Sequence, residues 1–369
     1  MKILLLTTHL NTGGIGVYTV GLARYLKKEG IDVTVSSSGG DLEGILAEEG
    51  VPFVRTDIKT KSEFGPKVWK ALPRLNKLIT EGSFDLVHAQ TRVAQVLSDF
   101  SCRTTGVPFV STCHGFFKHK RLSRKVFPCW GEKVIAISES VSRHLTEDFG
   151  VPFEKIAMIH NGIELDKYVE LSQEKDPLLM QEISLPEGVT VIGSIGRLSS
   201  VKGFEYLVAA FERVLHENTN VALLIIGEGP EKDALERQIK KSGIEGKTFL
   251  IPESTQLKKH LSLFDIFCLP SVNEGLGLSI MEAMAAGRAC IASEVGGLPE
   301  LITDNVTGVL VPPGKPYALS RAILNLAGDP DLRQRLGAAA REKALKSFSI
   351  KNSVRATVEV YKEVIARSS

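Results

Sequence analysis

Asp265-Ile266-Phe267-Cys268-Leu269-Pro270-Ser271-Val272-Asn273-Glu274-Gly275-Leu276-Gly277-Leu278-Ser279-Ile280-Met281-Glu282 reads as a strand, a glycine-containing loop and a tightly packed helix. A glycine-rich loop running into a helix offers unpaired backbone N–H groups and the positive end of the helix dipole, which together suit a phosphate. With the helix beginning near Leu278, Glu282 lies roughly one turn in, while Glu274 stays in the loop before it. The two carboxylates can then hold different hydroxyl groups of one extended ligand, with its phosphates between them. Two glutamates at this spacing are, taken alone, most often a solvated pair; the apolar run before them and the small residues after them favour a site.

Outward from this stretch the same alternation repeats. Short apolar runs, each followed by a stretch of helical period, occur at 3–6, 31–35, 52–54, 85–88, 109–112, 134–137 and 156–159 in the first half. In the second half they occur at 191–195, 221–226, 248–251, 266–269, 289–292 and 309–311. Runs of this kind predict an α/β fold with parallel sheets covered on both faces by helices. The polar stretch 171–188, with two prolines and no clear strand, divides the series and reads as a linker. The predicted domains are residues 1–170 and 189–349, with a C-terminal helix at about 350–369 completing the first. Ligands belong at the carboxyl ends of such strands, in a cleft between the domains.

Composition sets outer limits. At 369 residues, with 43% hydrophobic and 24% charged residues, the chain is long enough for two ordinary cores. Its net charge of +2 conceals an uneven distribution. Between Arg55 and Lys125 there are 14 Lys/Arg against 5 Asp/Glu. Five cysteines (102, 113, 129, 268, 290) form no C-x-x-C pair, which predicts reduced thiols and a cytoplasmic setting. The start, Met1-Lys2-Ile3-Leu4-Leu5-Leu6, reads as a core strand and not a signal peptide.

A second candidate lies where the run 191–195 ends. Gly196-Arg197-Leu198-Ser199-Ser200-Val201-Lys202-Gly203 places two cations on a loop before a helix. Arginine as a fork and lysine as a point charge suit a diphosphate. Other fingerprints are missing. The loop Gly13-Gly14-Ile15-Gly16 is followed by Val17, Tyr18 and Thr19, so G-x-G-x-x-G is not met, and no acidic residue follows the second strand. That argues against a nicotinamide cofactor.

The ordered set G-R-x-x-x-x-K-G at 196–203, E-x7-E at 274–282 and Gly296-Gly297-Leu298-Pro299-Glu300 resembles the GT-B retaining glycosyltransferases of family 4, the glycosyl transferases group 1. Gly13-Gly14 after the first strand, His114-Gly115, Ser138-Glu139 and Asn161-Gly162 extend the resemblance over essentially the whole chain. It implies two Rossmann-like, doubly wound domains facing across a cleft that closes in use. It also implies transfer of a hexose from a nucleoside-diphosphate sugar to a hydroxyl, with retention. Arg197 and Lys202 would hold the donor diphosphate, Glu282 the ribose and Glu274 the transferred sugar. Backbone N–H groups of Gly275, Leu276, Gly277 and Leu278 would bind sugar or phosphate oxygens. Gly14, with Gly16 beside it, and Gly196 would let backbone approach the donor, and His114 would lie near the reacting sugar. Asn161 is assigned to the substrate or to a turn, and Glu228 to the donor site or to a loop charge. The backbone near Ile251 would touch the base, although Pro252-Glu253-Ser254 stand where the family often has a glycine. With two cations serving the diphosphate, neither a metal nor a cofactor is expected.

The basic excess falls in two clusters. Lys59, Lys61, Lys67, Lys70, Arg74 and Lys77 interleave with Phe64, Val68, Trp69, Leu72, Leu75 and Leu78. Residues 118–125, Lys-His-Lys-Arg-Leu-Ser-Arg-Lys, lie between Phe116-Phe117 and Phe127/Trp130. Basic charge beside aromatics suits an anionic membrane surface, a solvated face or a phosphorylated acceptor. A peripheral enzyme of the inner membrane face, acting on a lipid-linked, lipopolysaccharide or other cell-surface glycan, is the expectation; no nucleic-acid motif accompanies the charge. A GT-B nucleotide-sugar 2-epimerase and a non-catalytic sugar-nucleotide-binding protein are the alternatives.

Overall fold

The computed structural model describes residues 1–117, 124, 126–169, 171, 174–252 and 257–368. It divides into two units, Met1–Ile163 with Ile350–Ser369, and Glu164–Ser349. The strands of the first are β1 (Lys2–Leu6), β2 (Asp32–Ser37), β3 (Phe53–Arg55), β4 (Leu86–Ala89), β5 (Phe109–Cys113), β6 (Lys133–Ala136) and β7 (Ile156–Met158). Those of the second are β8 (Thr190–Ile195), β9 (Val221–Ile226), β10 (Thr248–Ile251), β11 (Ile266–Leu269), β12 (Ala289–Ser293) and β13 (Val309–Val311). Each falls on one of the apolar runs of the sequence. All pairings between them are parallel.

The first sheet has the order β3-β2-β1-β4-β5-β6-β7 and the second β10-β9-β8-β11-β12-β13. In each, the order reverses once, between β1 and β4 and between β8 and β11. Loops leaving those two strands diverge to opposite faces, which opens a crevice at their carboxyl ends. Both units are therefore Rossmann-like.

Burial explains why these residues form strands. All six side chains of β9, Val-Ala-Leu-Leu-Ile-Ile, are inaccessible to solvent, as a parallel strand covered on both faces requires. The helix Phe204–Glu217 that follows β8 buries Phe204, Leu207, Val208, Phe211 and Val214, one stripe of a 3.6-residue period. Its approach is close: a Cβ on Gly203 would lie 2.2 Å from the Pro270 carbonyl oxygen.

The segment 171–188 departs from its reading as a linker. It belongs to the second unit and contains the helix Pro177–Ile183, capped by Asp176, whose carboxylate accepts from the N–H groups of Leu178 and Leu179. Lys175 is bound to Asp265 at 2.6 Å and to the Val189 carbonyl at 2.9 Å, which fixes the segment to the amino ends of the central strands β11 and β8. Polar composition there reflects capping and ion pairing.

Two cations of the first unit's basic excess, Arg92 and Arg124, are internal. Glu63 is buried and bonded to Arg92 Nε at 3.1 Å and to Arg124 Nη2 at 2.8 Å. Burial raises the Glu63 carboxyl, yet the hydrogen bond from Arg124 and the charges of both arginines outweigh it and hold the group below its ordinary range. Arg92 also donates to the carbonyls of Phe127 and Pro128. Of the cluster 118–125 only Arg124 is among the described residues, and Trp130 beside it is buried. These charges join a loop to the core and present nothing to a surface.

The helix Ile350–Ser368 packs into the first unit through Tyr361, fully buried, whose hydroxyl lies 2.6 Å from His88 Nδ1. His88 Nε2 lies 2.7 Å from Thr112 Oγ1. Burial pushes the His88 imidazole down to about 3. The folded state thus keeps it neutral while the unfolded chain takes up a proton near pH ~6.5. The stability it contributes is complete above that value and is lost as the pH falls below it. Thermal unfolding should show Tm falling between pH 7.5 and 5, with a shallower slope in His88→Gln; an unchanged slope would contradict a buried neutral histidine.

Candidate active site

In the second unit the loops leaving β8 and β11 meet at the reversal of strand order. The N–H groups of Val272 and Asn273 both donate to the Val201 carbonyl, at 2.9 and 3.3 Å, which joins the loops side by side. Held this way, Lys202 Nζ lies 2.5 Å from Glu274 Oε2. Ser271 Oγ donates to the same oxygen at 3.1 Å. Both side chains of the ion pair are largely withdrawn from solvent, with 21% and 13% of their surface exposed. Among the described residues both contacts fall on Oε2, so Oε1 retains its acceptor capacity and the ammonium keeps two further N–H groups. Lys202 and Glu274 thus touch directly.

The helix Leu278–Ala285 begins where the sequence placed it. Gly277, its N-cap, has φ +101° and supplies no side-chain hydrogen bond. Its first turn carries no acidic residue, so the dipole end is not neutralised locally. Glu282 projects one turn in and accepts from the Tyr168 hydroxyl at 2.9 Å. Burial and the Glu282 charge push the Tyr168 phenol well up, so it acts as a donor there.

The neighbouring strand ends are fastened by backbone bonds. Gly196 N donates to Ile226 O at 3.0 Å, Leu198 N to Glu228 O at 2.9 Å and Gly227 N to Ile251 O at 3.0 Å. The Ile251 carbonyl is thus already engaged on one lone pair. Arg197 is exposed and makes no ion pair among the described residues. Glu228 is exposed too, and its carboxylate lies 3.2 Å from Lys232, one helical turn on. The structure therefore brings Lys202, Glu274 and the helix start together and leaves Arg197 and Glu228 at the rim. An Asp-x-Asp triplet, Asp329-Pro330-Asp331, serves as a helix cap, Leu332 N donating to Asp329 Oδ1 at 2.9 Å.

In the first unit, Gly14 opens the helix Gly14–Lys28 after β1, with no side-chain cap on Gly13. Gly16 is explained by its own chain: a Cβ there would lie 2.3 Å from the Asn11 carbonyl oxygen. His114 follows β5, with Nε2 2.9 Å from Gln90 Oε1 and its ring edge-on to Tyr18 at 5.2 Å. Burial pushes its imidazole down to about 3, so it is neutral at ordinary pH. Asn161 is buried, and its side-chain oxygen has no partner among the described residues.

Sequence reading missed Ser271, Tyr168 and Gln90. Ser271 sits within the quoted stretch and was legible from its position three before Glu274. Tyr168 is 114 positions from Glu282, and no local pattern announces it.

Comparison with known proteins gives the family and the fold. The family model for glycosyl transferases group 1 matches residues 176–343, and that for Glycosyltransferase Family 4 matches residues 12–167. An uncharacterized glycosyltransferase of Methanocaldococcus jannaschii is 27% identical over 95% of this chain and 94% of its own length. A glycogen synthase of Mycobacterium tuberculosis is 30% identical, covering 78% of this chain and 71% of that protein. The crystal structure of Anabaena HepE in complex with UDP and glucose superposes with a TM-score of 0.86 at 22% identity, over 98% of this chain and all of that one. The fold is GT-B. The chain belongs to the glycosyl transferases group 1, and it is a hexose-transferring glycosyltransferase.

At Gly277 the conformation and the space both demand glycine, since a Cβ would lie 2.9 Å from Leu298 Cδ2. Gly277→Ala should cost about 1–3 kcal/mol of stability, read from the denaturant midpoint; an unchanged midpoint would contradict the strained helix start.

Proposed function

We propose that the second unit binds a nucleoside-diphosphate sugar and that the enzyme moves its hexose, with retention at the anomeric carbon, to a hydroxyl of a cell-surface or lipid-linked glycan. The observation that carries this reading is the Lys202–Glu274–Ser271 cluster beside the uncapped start of the helix Leu278–Ala285. Breaking the bond from the anomeric carbon to a diphosphate leaves negative charge on the departing group. Lys202, the first-turn N–H groups and Arg197 at the rim are placed to offset that charge, and such stabilisation is the largest electrostatic demand of the reaction. Two cations do here what a divalent metal does elsewhere, so the transfer proceeds without one.

Glu274 accepts from hydroxyls of the transferred hexose through Oε1, and Glu282, held by Tyr168, accepts from the ribose. Neither acts as an acid–base pair, and no covalent nucleophile is involved. The leaving diphosphate itself takes the acceptor's proton on the same face. His114, neutral, binds the sugar by hydrogen bonding. Uridine diphosphate glucose is the first donor to try, because the Anabaena structure holds UDP and glucose.

The acceptor side rests on the helix Pro66–Gly82. Lys67, Lys70, Arg74 and Lys77 are exposed along one face of it, beside Trp69 with 44% of its surface exposed. Cations on one helical face, with an exposed aromatic on the adjoining face, suit the headgroup region of an anionic bilayer. Among the described residues no helix is long and apolar enough to cross a membrane, and the proposal is peripheral docking at the cytoplasmic leaflet.

A panel of UDP-, GDP- and ADP-sugars tests the reaction; donor turnover is expected, and inertness toward all of them would refute the reading. Lys202→Ala should lower kcat/KM by at least ~10²-fold, and undiminished activity would remove the lysine from the mechanism. Co-sedimentation should recover the protein with anionic vesicles in low salt, and equal recovery with neutral vesicles would exclude the docking face.

A further inference from the structure

We propose that Gln90 is a positioning residue: its side-chain amide, bonded to His114 Nε2, fixes the tautomer of that ring so that the Nδ1 lone pair is presented to a substrate hydroxyl. The inference rests on the reading above that His114 meets the sugar. Gln90 follows β4, on the strand at which the order of the first sheet reverses, and its own N–H is anchored to the Leu6 carbonyl at 2.8 Å. The residue is 1% exposed. Its Oε1 lies 2.9 Å from His114 Nε2. A carbonyl oxygen can only accept, so Nε2 carries the hydrogen and Nδ1 is an acceptor. Nδ1 has no partner among the described residues and is not among their buried orphan atoms.

The surroundings require such a device. The titratable groups that face the ring are Tyr18, edge-on from the helix Gly14–Lys28, and His88 on β4, whose own imidazole is lowered in part by His114. Cys113 precedes the ring on its strand, and burial pushes its thiol up to about 12. None of them is charged at neutral pH, so an imidazolium has nothing to offset it, and desolvation keeps the ring neutral. A neutral imidazole exchanges freely between tautomers unless one nitrogen is held. The bond comes at a cost: Gln90 Nε2 is buried with no partner among the described residues. A glutamine retained with half of its amide unsatisfied is explained by what the other half does.

The test uses the 15N-labelled full-length protein, with the His114 ring signals assigned by comparison with His114→Gln. Long-range 1H–15N spectra should show the Nε2–H tautomer, unprotonated down to pH 5. Gln90→Glu places a carboxylate against Nε2, which should bring the imidazolium signature up to pH 6 and move the acid limb of the kcat/KM profile up by at least about one pH unit. Gln90→Leu should give mixed tautomers and lower kcat/KM by about tenfold, with the buried ring still neutral. An Nδ1–H tautomer in the wild-type protein, or variants that leave both spectrum and pH profile unchanged, would overturn the proposal. Full activity in His114→Gln, with the spectra as expected, would instead overturn the reading on which it rests, so the two failures are distinguishable.

Discussion

Lys202 and Glu274 are 72 positions apart, and everything proposed for the second unit depends on their meeting. They meet because β8 and β11 are adjacent in a parallel sheet, and because Gly203 lets the helix after β8 come against Pro270. A lysine largely withdrawn from water needs a counter-charge, and Glu274 supplies it while Ser271 fixes which carboxylate oxygen takes part. One oxygen of the glutamate and two hydrogens of the lysine remain for chemistry. An anion arriving at the helix start finds a cation already oriented, and a hydroxyl finds an acceptor already held. Such preorganisation spares the site the cost of ordering those groups when a ligand binds.

The first unit repeats the same architectural logic with different chemistry. At its reversal of strand order stand an uncapped helix start after β1 and a buried glutamine after β4, with His114 on the next strand. Where the second unit gathers charge, this end of the first gathers neutral polar groups, several of them without a partner among the described residues: Thr7 Oγ1, Gln90 Nε2 and Thr91 Oγ1. Hydroxyl-rich ligands can satisfy such neutral donors and acceptors.

How much of this was legible in the sequence differs by physical cause. The strands were, since parallel strands buried on both faces must read as continuous apolar runs, as β9 and β11 do. The start of the helix at Leu278 was legible from Gly277, which only glycine tolerates at that conformation. The helix Pro177–Ile183 carried its own marks, an aspartate cap followed by proline, but its polar surroundings masked them. Arg124 reads as surface charge because nothing local reveals that Glu63 binds it, together with Arg92, inside the fold. Tyr168 and Gln90 act through contacts that topology alone creates, so no window of sequence contains them. Gly16, read as letting backbone approach the donor, is also required by the Asn11 backbone, a contact no local pattern shows.

The most direct measurement of the central claim is a double-mutant cycle on kcat/KM with the donor that turns over, comparing Lys202→Ala, Glu274→Gln and the double variant. If the ion pair works as one unit, the double variant loses little more than the worse single variant, a departure from additivity of at least about fivefold. Losses that simply multiply would mean that the two side chains act independently, and would contradict the site described.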